Sequence, residues 1–195
     1  MDEHLADRME LLLQRLRTSY DGIGHSSGRP YVYFVYSPSS EREIVRMAEE
    51  QLRSDNQICF HHIDLLTIAL NSIEGQEQRR QELLGDPLKS SGMTEAVVRL
   101  WAKGLNKEIN ERLNSPASKG RPVVVLRGMA ALHPLGNPTS MMEALAEQEP
   151  RDPTTNAIIP IVLLVPGIRP PQTSRRYLFL GQEKLRLDFY RGEEI

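Results

Sequence analysis

The sequence predicts an α/β fold in which a mostly parallel sheet of about five or six strands is flanked by helices. Three runs of β-branched, aliphatic and aromatic residues, at 31–36, 123–126 and 158–165, contain almost no charged or polar residue. Continuous runs of this kind are typical of strands that are covered on both faces, as in a parallel sheet. Amphipathic segments separate the runs, and this alternation favours right-handed strand–helix–strand crossovers.

The first half of the chain is predicted from apolar spacing and capping residues. Ser40 and Glu43 have the spacing of a capping box, which marks the start of a helix. Asp64 follows an apolar run and is placed to cap a short helix. The predicted elements are, in order, a helix over 3–19, a strand over 31–36, a helix opened by Ser40, a strand near 58–63 and a helix over 65–73.

The second half is predicted in the same way. Ser140 and Glu143 form a second candidate capping box. Pro166 and Gly167 are expected to close the strand that precedes them. The predicted elements are a long helix from Thr94 to Leu113, a strand over 123–126, a short helix opened by Ser140, a strand over 158–165, and strands over 177–180 and 185–190 that form an antiparallel hairpin.

Composition restricts the class of protein. The chain has 195 residues, which predicts one domain over 1–195, with an N-terminal helix and loop over 1–28 and a sheet core over 29–195. The net charge is −2, so no overall field favours nucleic acid or membrane. Cys59 is the single cysteine, which suits a reducing compartment. No apolar run approaches the roughly 20 residues that span a bilayer. A soluble, cytoplasmic protein is therefore expected.

Two positions decide whether such a sheet can bind a nucleotide. A phosphate-binding loop needs glycines and a lysine after a strand, but the first strand is followed by Ser37-Pro38-Ser39-Ser40. Magnesium chemistry calls for an acid after the third strand, but Arg127 and Gly128 follow it instead. The sequence therefore predicts a degenerate P-loop-NTPase-like fold that has no cofactor.

Other catalytic and metal-binding patterns fail on their context. Residues 24–28 match the G-x-S-x-G pattern of hydrolases, but they follow a helix rather than a strand. Residues 85–90 contain a Lys-Ser pair, but no glycine stands directly before the lysine and no strand precedes the segment. His61 and His62 are adjacent on a strand and point to opposite faces, so they cannot share an ion. We predict no catalytic and no metal-binding residue, and hence no enzyme. The alternative is an uncharacterised α/β enzyme that uses Asp64 or the serine-rich loop after the first strand.

The arginines of the second half are unevenly distributed. No acid lies between Glu111 and Glu143, or between Asp152 and Glu183. Both stretches include the loops that leave the carboxyl ends of the third and fourth strands, where open α/β sheets bind ligands. The sequence predicts a cationic rim there that binds a partner, formed by Arg127, Arg169, Arg175 and Arg176.

Several short segments resemble BrxB, a small component of BREX phage-defence systems. The Pro-Gly at 166–167, the Leu-Phe-x-Gly at 178–181 and the Tyr-Arg at 190–191 carry much of the similarity. The chain departs from the family after Pro-Gly, where Ile168-Arg169-Pro170-Pro171 replaces an aromatic and an acidic turn. Further matching segments are Tyr31 to Pro38, Ile63 to Leu66, Val124 to Gly128 with His133-Pro134, and Ile159 to Val165.

The resemblance implies a non-catalytic adaptor or assembly factor of a bacterial antiphage defence complex, in BREX itself or in a sister system. Its implied partner is a larger PglZ-type protein, with nucleic acid reached through the complex and no membrane. The family supplies no catalytic residue to transfer to this chain. A DNA-binding module that uses the basic rim is the second alternative, and a steep salt dependence of DNA affinity would favour it.

Overall fold

The computed structural model describes residues 3–23, 28–75, 78, 81, 92–115, 120–170 and 175–195. The helices are α1 Glu3–Thr18, α2 Glu41–Gln51, α3 Leu65–Asn71, α4 Met93–Leu113 and α5 Pro138–Ala146. The strands are β1 Tyr31–Tyr36, β2 Ile58–Asp64, β3 Arg121–Arg127, β4 Ile161–Ile168, β5 Arg176–Phe179, β6 Arg186–Asp188 and β7 Gly192–Glu194.

The described strands form one seven-stranded sheet, which confirms the predicted fold class. Its main order is β2-β3-β4-β1-β7, and all four of these pairings are parallel. β5 pairs antiparallel with the end of β4, and β6 pairs antiparallel with β5, so the predicted hairpin is also confirmed. The sheet therefore carries a parallel core with a small antiparallel extension.

Helices cover both faces of the sheet, which explains the unbroken apolar runs. Within β1, Val32, Phe34 and Tyr36 face the layer formed by α1 and α2. Tyr31, Tyr33 and Val35 face the layer that contains α3, α4, α5 and the aromatic residues of the hairpin. All six residues of β1 are buried. A strand covered on both sides has no need of polar alternation.

Both predicted capping boxes are wrong in detail. Ser40 precedes α2 but its side chain makes no cap hydrogen bond, because a 3₁₀ turn over Pro38–Ser40 leads directly into the helix. At α5 the N-cap is Asn137, whose side chain accepts a hydrogen bond from the Ser140 backbone N–H, and Ser140 returns the contact as the third helical residue. Asp64 caps α3 as predicted, accepting from the Leu66 N–H at 2.9 Å.

The expectation that Pro166 and Gly167 close the fourth strand is also wrong. β4 begins at Ile161 and runs through both residues to Ile168. A side chain at Gly167 would place its Cβ 3.0 Å from the Leu178 carbonyl oxygen and 3.3 Å from the Tyr177 ring. Gly167 therefore lets the β5 backbone pair closely with the extended end of β4.

Candidate functional site: the carboxyl edge of the sheet

The loop after β1 is organised by its own side chains. The hydroxyl oxygens of Ser37 and Ser39 lie 2.8 Å apart, and the buried Tyr36 hydroxyl donates to the Glu41 carboxylate. Burial, reinforced by this contact with Glu41, raises the pKa of Tyr36 well above its usual value. Glu41 and Glu43 occupy the first turn of α2, where a bound phosphate would otherwise meet the helix N-terminus. The electrostatics of this turn disfavour an anion.

The end of β3 is organised around Arg127. Its guanidinium pairs with Glu49 of α2, and its Nε lies 3.7 Å from the Asp64 carboxylate. Gly128 follows in the left-handed region with φ +69, and a Cβ there would lie 2.6 Å from Asp64 Oδ1. Glycine is thus required both by its backbone conformation and by the closeness of Asp64. A single guanidinium charge thus lies beside two carboxylates at the end of β3.

The ends of β4 and β7 meet through a third ion pair. Arg169 lies 2.9 Å from Glu194, whose side chain is only 13% exposed. Burial raises the pKa of Glu194, and Arg169 and Arg8 both oppose that shift. Arg8 of α1 donates to the carbonyl oxygens of Val35, at 2.8 Å, and Ile195, at 2.5 Å. These contacts tie α1 and the chain's last residues to this edge of the sheet.

The four arginines predicted to bind a partner are mostly neutralised within the protein. Arg127 and Arg169 are paired as described, and Arg176 lies 2.9 Å from its cross-strand neighbour Asp188. Arg175 is exposed, and residues 171–174 of the same loop lie outside the described residues. Acids from other parts of the chain lie next to the arginines of the acid-free stretches, so the edge is not a uniformly cationic rim. The assignment of these arginines to partner binding stays a prediction.

The adjacent histidines lie on opposite faces of β2, as predicted. His62 Nε2 is 2.8 Å from the Leu52 carbonyl oxygen on the α2 side, while His61 is buried on the α4 side. Burial lowers the pKa of His61, and the charge of Arg112 lowers it further. Among the described residues no group of three or more His, Cys, Asp or Glu side chains could hold a metal ion. The patterns at 24–28 and 85–90 fall largely or wholly outside the described residues.

Two clefts open beside the helices that cover one face of the sheet. One, of about 670 Å³, lies between α3 and α4, and its charged lining is partly internally paired, as by Lys107 with Glu111 at 3.7 Å. The other, of about 420 Å³, lies between the first turns of α4, the loop before α5, α5 itself and Leu185 of the hairpin. Sequence reasoning missed both. For the second cleft, the sequence offered one indication, which is the pair Glu143 and Glu147, two acids one turn apart at the end of a short helix.

No known protein family, curated protein or solved structure matches the chain. Within the described part of the chain, no helix is long and apolar enough to cross a bilayer.

Proposed function

We propose that this chain is a non-catalytic adaptor of a BREX-like antiphage defence complex, built on a nucleotide-binding scaffold that has lost its nucleotide. The observation that carries the proposal is the state of the two positions that bind nucleotide in P-loop folds. The turn after β1 presents Pro38 and the acids of α2, and the end of β3 presents Arg127. With neither phosphate loop nor metal-binding acid, the sheet serves as a rigid platform for contacts with other proteins.

Ion pairing at the carboxyl edge supports an organising role for its charges. Arg127 joins α2 to the ends of β2 and β3, and Arg169 joins the ends of β4 and β7. A protein–DNA interface instead leaves its arginines available to phosphates. The arginine pairing therefore favours the adaptor over the DNA-binding alternative.

The experiment is affinity capture of the tagged chain from its native host, followed by identification of the retained proteins. A PglZ-type protein should be retained in stoichiometric amount. The prediction that the arginines contact this partner is tested with Arg175→Glu and Arg176→Gln together, since both positions are exposed and neither change places a new carboxylate opposite Asp188. Arg127→Glu is unsuitable because it would place a third carboxylate beside Glu49 and Asp64. A folded chain that retains no PglZ-type protein would refute the proposal.

A further inference from the structure

The 420 Å³ cleft beside α5, called here the α4–α5 groove, combines an apolar floor with a charged lip. Val98 is buried in its floor, and Leu135, Ala144 and Leu185 pack partly buried around it. Gly136 keeps the floor open, because a Cβ there would lie 2.9 Å from the Val98 side chain. The volume falls in the range of about 300–1,000 Å³ that ligand sites occupy.

The lip of the groove is acidic and unpaired. Glu95, Glu143 and Glu147 line it, and among the described residues none of the three has an ion pair. Arg99 also lines the groove and stands one helical turn from Glu95, where it can offset that charge. Glu143 and Glu147 lie at the end of α5, four residues apart, so the acids of the lining outnumber its one arginine.

The position of this pair is unfavourable for the fold itself. Glu143 lies toward the end of α5 and Glu147 is its C-cap, and the last turn contains no basic residue. Negative charge at a helix C-terminus opposes the helix dipole, and like charges four residues apart repel each other. Two local costs that no internal contact offsets indicate that the carboxylates act on something outside the chain.

We infer that the α4–α5 groove docks a basic peptide segment of a partner protein, in which an arginine lies next to an aliphatic residue. The aliphatic side chain packs on Val98, Leu135 and Leu185, and the guanidinium reaches Glu143 and Glu147. Arginine fits because its planar fork binds carboxylates bidentately and its stem packs on apolar surface. This inference rests on the adaptor role and specifies one contact surface for it.

The chain's single tryptophan provides the assay. Trp101 is buried beside the groove, and a Cβ at Gly136 would lie 3.5 Å from its ring. The probe is an acetylated, amidated peptide of alternating leucine and arginine, titrated at up to 1 mM while Trp101 fluorescence is recorded. We expect saturable binding that weakens as salt rises, and no binding of the matched leucine–glutamate peptide.

The decisive variant is Glu143→Gln with Glu147→Gln, which removes two charges and keeps the side-chain shape. It should weaken peptide binding at least tenfold. The matched control is Asp7→Asn with Glu10→Gln on the exposed side of α1, which changes the net charge equally and should stay within twofold of wild type.

Several results would overturn the inference. They are no saturable binding by wild type, equal weakening in the control, or spermidine binding as tightly as the peptide, which would indicate a site for small cations. Self-association that the Glu143 and Glu147 variant abolishes would assign the groove to a second copy of the chain.

Capture from the native host separates the groove from the adaptor role. If the Glu143 and Glu147 variant loses the peptide but still captures the PglZ-type protein, the groove does not serve that partner and the adaptor role stands. If wild type binds the peptide but captures nothing, the adaptor role fails instead.

Discussion

Val124 gives the sharpest test of the packing at the centre of the sheet. It is 0% exposed, lies in register between His61 and Ile161, and belongs to the core that faces α3 and α4. Val124→Ala removes two buried methyl groups at about 0.8 kcal/mol each and leaves a small cavity, so a loss of about 2 kcal/mol is expected. Val124→Asp places a carboxylate in the apolar core, where burial opposes its charge. The loss should be several kcal/mol, a large part of the roughly 5–15 kcal/mol that stabilises a domain.

The assay is urea unfolding followed by Trp101 fluorescence and by circular dichroism. Val124→Ala should lower the midpoint without changing the slope, and Val124→Asp should be unfolded or insoluble. Leu66→Asp is the matched control, since it introduces the same carboxylate at a position that is 51% exposed. It lies in the first turn of α3, where negative charge is tolerated. Soluble Val124→Asp protein with wild-type melting would refute the placement of β3.

Three further predictions concern titration, backbone and surface charge. Burial lowers the pKa of His61 in the folded state, so below pH 6.5 the unfolded chain binds more protons than the folded one. The free energy of unfolding should therefore decrease as the pH is lowered below 6.5, and His61→Gln should make that decrease smaller. Gly128→Ala should cost about 1–3 kcal/mol in urea unfolding, because alanine is strained at φ +69 and its Cβ would collide with Asp64. Glu143→Gln with Glu147→Gln should raise the melting temperature, by a stabilisation of about 0.5–1 kcal/mol.

Each of these has a contradicting result. The pH dependence of His61→Gln must differ from wild type between pH 5 and 7 and converge with it in slope above pH 7, and parallel curves would contradict the assignment. A Gly128→Ala protein as stable as wild type would show that the turn after β3 has another conformation. A lower melting temperature for the Glu143 and Glu147 variant would show that these carboxylates support the fold.

The sequence predicted the parts of the fold that depend on local pattern. The continuous apolar run at Tyr31–Tyr36 indicated a strand buried on both faces, and the apolar spacing through Met93–Leu113 indicated a long helix. β7 was missed because Gly192–Glu194 contains no apolar residue. It is held instead by register with β1 and by the contact of Arg15 with Glu193 at 3.4 Å, 178 residues apart. No local pattern contains that information.

The candidate site shows the same division. The serine loop and Arg127 could be identified from sequence, because each directly follows a strand that its apolar run predicts. The pairing of Arg127 with Glu49 joins residues 78 positions apart, and only the topology brings them together. Acid-free stretches of sequence therefore did not imply an unpaired cationic surface. Glu143 and Glu147, by contrast, lie on one helix, and their unfavourable position could have been recognised from the sequence once the end of α5 was known.

Isothermal calorimetry with Mg-ATP tests most directly the proposal that the carboxyl edge of this sheet has no nucleotide site. Pro38 supplies no N–H, Glu41 and Glu43 place negative charge at the start of α2, and an arginine, Arg127, rather than an acid stands at the end of β3. Folded protein should give no binding heat at micromolar concentrations of nucleotide. A dissociation constant in the micromolar range, about −8 kcal/mol, would contradict the claim.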